Sequence, residues 1–326
     1  MSIGSKIEWC TATWSPTTGC DKVSPGCDHC YAMTMAKRLK GMGQAKYQND
    51  GDPRTSGPGF GLTVHEDALG IPLRCQTPHR WFVNSMSDLF HARVPAGFVG
   101  RVWDVMGQTP QHTYQILTKR PERMRAWVQQ WADRTGDRDA DGPHGMPPLP
   151  RGPEAVRGAY TSGRARLFAD MLDSMGEPPE GCAYPPYDWM EGWRFWPGDL
   201  FNVWLGTSIE LDRYCRRADD LRETPAAVRF LSLEPLLAPL PSLNLSGIGW
   251  CIIGGESGRG ARRMEAAWAR DLIAQCREAG VPVFVKQLGS VLGRELNAGS
   301  KGGAIEAWPE DLRIREFPQP YAAVTA

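Results

Sequence analysis

The feature that most limits what this chain can fold into is a repeated transition. Short apolar runs turn polar at their C-terminal ends and then give way to helical patterns. The transition occurs at Trp81-Phe82-Val83 before Asn84-Ser85-Met86-Ser87-Asp88, at Thr113-Tyr114-Gln115-Ile116-Leu117 before Thr118-Lys119-Arg120-Pro121, and at Asn202-Val203-Trp204-Leu205 before Gly206-Thr207-Ser208. It continues at Val228-Arg229-Phe230-Leu231-Ser232 before Leu233-Glu234-Pro235, at Gly249-Trp250-Cys251-Ile252-Ile253 before Gly254-Gly255-Glu256, and at Val281-Pro282-Val283-Phe284-Val285 before Lys286-Gln287. An opening unit places a strand over 11–15 and a helix over 31–39 on either side of a cysteine-bearing loop. The intervening apolar spacing predicts helices over 96–106, from Pro121 through Trp127, and over 265–279. Strands alternating with helices imply a parallel sheet with right-handed crossovers. About six to seven such units predict an α/β fold, a full or partial parallel (β/α) barrel, with a doubly wound open sheet as the alternative.

In parallel α/β architectures ligands bind at the C-terminal edge of the strands, because the loops converge there. Ser85, Lys119, Ser208 and Glu256 stand at or just beyond such ends, as do Asp88, Glu210 and Glu234. Each also has a plainer reading: the serines as helix caps, Lys119 as a solvated side chain. Glu256 follows two glycines that permit close backbone approach, which ranks it first among the carboxylates for a ligand role. One domain spanning 1–326 is expected, interrupted by an irregular insertion at about 133–199 that is rich in Gly, Pro, Asp and Arg and carries Trp189, Trp193 and Trp196. Such a segment, with one helix over 164–175, is either a surface excursion or a cover over substrate.

Lys and Arg number 37 against 37 Asp and Glu, a balance that excludes broad capture of polyanions as the main design. A local patch of Arg120, Arg123, Arg262 and Arg263 still offers a place for nucleic acid. No stretch approaches the roughly 20 consecutive apolar residues of a membrane span, and the first residues lack an apolar block of signal-peptide length, so a cytoplasmic protein without a membrane segment is expected.

Nine cysteines, an odd number on a long chain, do not describe a disulfide scaffold. Cys20, Cys27 and Cys30 lie together in Gly19-Cys20-Asp21-Lys22-Val23-Ser24-Pro25-Gly26-Cys27-Asp28-His29-Cys30-Tyr31, whereas the other six read singly as small hydrophobes. Two metal chemistries suit the trio. Zinc asks for four ligands, which Cys10 or His29 could complete. A four-iron cluster needs only three thiolates, and its remaining iron can chelate a small molecule.

The stretches Ile7-Glu8-Trp9, Thr17-Thr18-Gly19-Cys20 and Ser24-Pro25-Gly26-Cys27-Asp28-His29-Cys30-Tyr31-Ala32 resemble a family of phage and prophage proteins known by gene-product numbers thirty-seven and sixty-eight. Ser85-Met86-Ser87-Asp88-Leu89-Phe90, Leu117-Thr118-Lys119-Arg120-Pro121, Val203-Trp204-Leu205-Gly206-Thr207-Ser208, Leu233-Glu234-Pro235-Leu236 and Ile253-Gly254-Gly255-Glu256-Ser257 extend the likeness over nearly the whole chain outside the insertion. That family in turn resembles radical S-adenosylmethionine enzymes, the spore photoproduct lyase branch above all. The resemblance implies a 4Fe-4S cluster on Cys20, Cys27 and Cys30 that binds S-adenosylmethionine, although six residues rather than three separate the first two cysteines. It further implies Tyr31 beside the adenine, Ser85 near the cofactor's polar groups, Lys119 on its carboxylate and Ser208 on the ribose or methionine moiety. It implies an electron donor such as flavodoxin or ferredoxin, and a nucleic-acid base or nucleotide as substrate. Cys251 and Cys182 are conceivable hydrogen-atom donors, and neither is assigned that role.

Overall fold

The computed structural model describes residues 2–5, 7–136 and 202–318. Eight strands form one sheet in the order β1 (Ser2–Ile3), β2 (Ala12–Trp14), β5 (Arg80–Val83), β6 (Thr113–Thr118), β7 (Val203–Ser208), β8 (Val228–Leu233), β9 (Trp250–Gly254) and β10 (Val283–Gln287). β1 pairs antiparallel with β2, and from β2 to β10 every neighbour is parallel. These seven parallel strands curl into a half-barrel, so the expected partial (β/α) barrel is the fold and the open doubly wound sheet is not. A separate two-stranded antiparallel sheet is formed by β3 (Thr17–Thr18) and β4 (Thr63–Val64); two-residue strands are too short to leave a periodic signal.

The helices are α1 (Tyr31–Gly41), α2 (Ala96–Gln108), α3 (Pro121–Gly136), α4 (Arg217–Arg222), α5 (Ala266–Glu278) and α6 (Gly289–Glu295). Pro121 opens α3 as its missing N–H allows, and the helix outruns the expected end at Trp127. Residues 1–128 with 200–326 make one compact unit and 129–199 another. The insertion from 137 onward, with its expected helix, Cys182 and the three tryptophans, lies outside the described residues. Among the described residues no helix is long and apolar enough to cross a membrane.

The strand alternation divides the sheet into two faces. Cys251 is fully buried on the helix side, where its thiol lies beside that of Cys276 of α5. That position, turned away from the concave face, removes it from consideration as a hydrogen-atom donor at the mouth. On the opposite face Phe82, Trp204, Val228, Phe230, Trp250, Ile252 and Phe284 join Trp9 and Cys10 in one buried cluster. Trp250 is its hub, with ring centroids 5.9 Å from both Trp204 and Phe230 and 6.0 Å from Phe284. Gly206 is a packing requirement here, because a Cβ at that position would stand 2.5 Å from the Phe230 ring.

Toward the C-terminal edge the same face becomes small and then charged. Leu117 is followed two residues later by Lys119, Gly206 by Ser208 and Glu210, Phe230 by Ser232 and Glu234, Ile252 by Gly254 and Glu256, and Phe284 by Lys286. An aromatic plug therefore closes the lumen below, and a ring of small and ionic groups surrounds its upper end. Removal of a fully buried indole typically costs about 3–5 kcal/mol. Trp250→Ala is accordingly expected to lower unfolding stability by that amount, read from the urea midpoint, and an unchanged midpoint would contradict the plug.

Candidate functional site

The loop between β3 and α1 carries all three clustered cysteines to the C-terminal edge of the half-barrel. Cys20 and Cys30 pack, half-buried, against one small cluster of Ala32, Ala36 and Phe60, while Cys27 acts electrostatically on both. Among the described residues no three or more His, Cys, Asp or Glu side chains are gathered as ligands for a metal ion. Burial pushes the Cys20 thiol up to about 12, against the opposing pull of Arg120. Burial raises Cys30 as well, and the backbone amides of Met33 and Ala32 at the start of α1 oppose it.

Two consecutive residues after β6 hold this loop. Arg120 Nη1 donates to Cys20 Sγ at 3.4 Å and to Asp88 Oδ2 at 2.8 Å, and Nη2 donates to the Asp21 carbonyl at 3.1 Å. Asp88 is itself fixed, accepting from Thr118 Oγ1 at 2.8 Å, Phe90 N at 3.0 Å and Lys119 N at 3.3 Å. Lys119 Nζ donates to Glu210 Oε2 at 3.1 Å, and Arg217 Nη1 reaches the same oxygen at 3.0 Å. Gly26 lies directly against this pair: a Cβ there would stand 3.1 Å from both the Glu210 side chain and Lys119 Nζ. Burial alone would raise the Glu210 pKa, yet Lys119, Ser24 and Arg217 outweigh it and hold the carboxyl below its usual range.

Further contacts pin the remaining sides. Asp21 accepts from Thr55 Oγ1 at 2.7 Å, Ser56 Oγ at 2.9 Å and Arg93 Nη2 at 2.9 Å, with His91 Nε2 also at 2.9 Å. Despite partial burial, these groups keep its carboxyl well below the ordinary carboxylate range. Across the loop, Arg262 Nη2 donates to the Pro25 carbonyl at 2.8 Å while its Nε and backbone N bond Glu256 Oε2 at 2.9 and 2.8 Å.

The residues singled out from sequence are therefore brought to one edge, with different degrees of freedom. Tyr31 opens α1, the residue as a whole 53% exposed, and its hydroxyl donates to the Ser85 carbonyl. Burial first, and then the charges of Cys30 and Glu234, push its phenol above the usual range. Ser208 is buried at the end of β7, opposite Ser232 of β8, and its carbonyl accepts from Arg217. Neither Ser85 nor Ser208 caps a helix through its side chain. Glu256 is engaged by Arg262 through both carboxylate oxygens, so the loop following β9 closes over the carboxylate ranked first from sequence. Glu234 is paired with Lys286, both of its oxygens 2.9 Å from Nζ, and with Gln287 Nε2 at 3.0 Å.

The arginine patch considered for nucleic acid is engaged within the chain. Arg120 is taken by Asp88, Arg123 by the Ala92 and Val94 carbonyls, Arg262 by Glu256, and Arg263 by Glu265 and Glu295. Glu210, Arg217, Asp21 and His91 shape the site more than their sequence positions suggested. The available signals are the place of Glu210 just beyond a strand end and the adjacency of Asp21 to Cys20. A shallow groove of about 330 Å³ lined by Ala45, Lys46, Asn49, Thr63, His65 and Asp67 contains none of these residues.

A family model described as Protein of unknown function (DUF5131) matches residues 4–309. No curated protein and no solved structure matches the chain.

Breaking a buried ion pair from one side costs about 3–5 kcal/mol, so Glu210→Gln is expected to lose stability on that scale at pH 7. A carboxyl held low in the fold stabilises above its unfolded pKa of about 4.3 and ceases to do so as pH falls through the depressed folded value. The gap between wild type and variant should thus persist from neutral pH to about 5 and close in stronger acid. Urea unfolding as a function of pH measures it, and coincident curves at pH 7 would refute the clamp.

Proposed function

The chain belongs to the family described as Protein of unknown function (DUF5131), and we propose that it is a radical S-adenosylmethionine enzyme carrying a 4Fe-4S cluster on Cys20, Cys27 and Cys30. The observation that carries this reading is the delivery of a three-thiol loop to the C-terminal edge of a parallel half-barrel, above a lumen ringed by small and ionic residues. The donor set fits the group. Each thiolate of such a cluster binds a different iron, which asks for wider spacing than the closed tetrahedron of a single zinc ion.

When bound, the cluster and S-adenosylmethionine supply one-electron cleavage of a carbon-sulfur bond and a 5'-deoxyadenosyl radical that takes hydrogen from a substrate. The chain's own residues bind, orient and exclude water. Lys119 has three N–H donors, of which Glu210 takes one, leaving a cation beneath the cysteine loop for a ligand carboxylate. Glu210 and Arg217 fix where that ammonium stands, and Gly26 lets the loop backbone come down upon it. The Tyr31 ring, tied at its hydroxyl to Ser85, offers a flat face for an adenine, and Ser208 lies within the lumen for hydroxyl contact. The aromatic plug below excludes water from the reacting atoms.

The substrate assigned on the family resemblance is a nucleic-acid base or nucleotide, and the electron source a flavodoxin or ferredoxin. Anaerobic reconstitution is expected to give a brown protein with about four irons per chain. After reduction it should convert S-adenosylmethionine to 5'-deoxyadenosine, and Cys27→Ala should lose both properties. A colourless protein holding one tight zinc would overturn the proposal.

A further inference from the structure

We propose that Arg120 is a positioning residue for the first cluster thiolate: its N–H···S hydrogen bond to Cys20 orients that ligand and raises the reduction potential of the cluster. The inference rests on the radical S-adenosylmethionine reading and goes beyond it by assigning a role to a residue outside the metal ligands.

The geometry separates this contact from ordinary loop bracing. Arg120 is anchored without the sulfur, through Asp88 Oδ2 at 2.8 Å and the Asp21 carbonyl at 3.1 Å. Asp88 is in turn held by the Thr118 hydroxyl and by the backbone amides of Phe90 and Lys119. The guanidinium is therefore placed before any metal arrives, with its side chain 15% exposed and that of Asp88 7% exposed. From that fixed position Nη1 reaches Cys20 Sγ at 3.4 Å. The hydrogen-bonding partners of the other two thiols are neutral: Ser24 Oγ stands 3.9 Å from Cys27 Sγ, and Cys30 faces the amides of Ala32 and Met33, with Lys119 acting on it through its charge alone. Among the described residues, Cys20 thus receives the charged donor.

A donor to a ligating sulfur withdraws electron density from the metal–sulfur bond and favours the form that has gained an electron. A planar fork is suited to the task, because one guanidinium can satisfy a carboxylate, a carbonyl and a sulfur in fixed directions. A lysine offers a single ammonium centre and cannot span the three acceptors equally well.

The test compares full-length wild type, Arg120→Gln, Arg120→Lys and Arg262→Gln after anaerobic reconstitution, by iron content and by a redox titration followed with electron paramagnetic resonance. Arg262 grips the same loop through the Pro25 carbonyl and serves as the bracing control. Arg120→Gln is expected to shift the midpoint potential to more negative values, Arg120→Lys to fall between it and wild type, and Arg262→Gln to stay at the wild-type potential. Fully loaded Arg120→Gln at the wild-type potential would overturn the inference, as would an equal shift in Arg262→Gln. Should Arg120→Gln fail to hold iron, Arg120→Lys decides by the same comparison, and a wild-type potential there overturns it. A wild-type chain that takes up no iron refutes instead the cluster reading, and with it this inference.

Discussion

Everything at the mouth of the half-barrel depends on two neighbouring cations gripping a loop that has little packing of its own. Lys119 and Arg120 follow one strand, yet they act on opposite ends of the cysteine segment, one beneath Gly26 and the other at Cys20. Each is held by a buried carboxylate from an adjacent strand, Glu210 after β7 and Asp88 after β5. Charges this far from water are costly unless fully paired, and here the pairing is what fixes the loop. The coupling of local backbone to long-range ion pairs explains how a segment rich in Gly, Pro, Asp and Ser can be held in one place.

The sheet provides the complementary constraint. A half-barrel has an open side, and its lumen must be filled or it will admit water. The chain fills it with large rings at the lower level and stops filling it one residue pair higher along the strands, where Ser208, Ser232 and Gly254 follow Gly206, Phe230 and Ile252. The change from aromatic to small to ionic along the same face makes a floor, a chamber and a rim from a single period-two pattern. Thr207, Leu231 and Ile253 point the other way, toward the helices, so each strand serves both core and site.

Much of this was legible in the sequence because it is local or periodic. The strand ends, their polarity and the cysteine loop are properties of contiguous residues, and they placed Ser85, Lys119, Ser208 and Glu256 on one edge. The partners were not legible. Lys119 and Glu210 are 91 residues apart, and their meeting requires knowing that β6 lies beside β7. Arg120 resembled a surface base until the neighbouring strand supplied Asp88. Glu256 looked free because the closing contact comes from Arg262, six residues on, through an irregular turn that no periodicity encodes. Cys251 illustrates the reverse case: strict alternation with Ile252 already assigns it to the helix face, where the structure has it beside Cys276.

In the proposed function Cys20, Cys27 and Cys30 leave one metal corner for an incoming ligand. Mössbauer spectroscopy of protein reconstituted with iron-57, recorded with and without S-adenosylmethionine, interrogates that corner directly. The account predicts that one iron of a four-iron cluster is distinguishable from the rest and that its signal alone changes on adding the ligand. Four irons whose spectrum is indifferent to the ligand would contradict it.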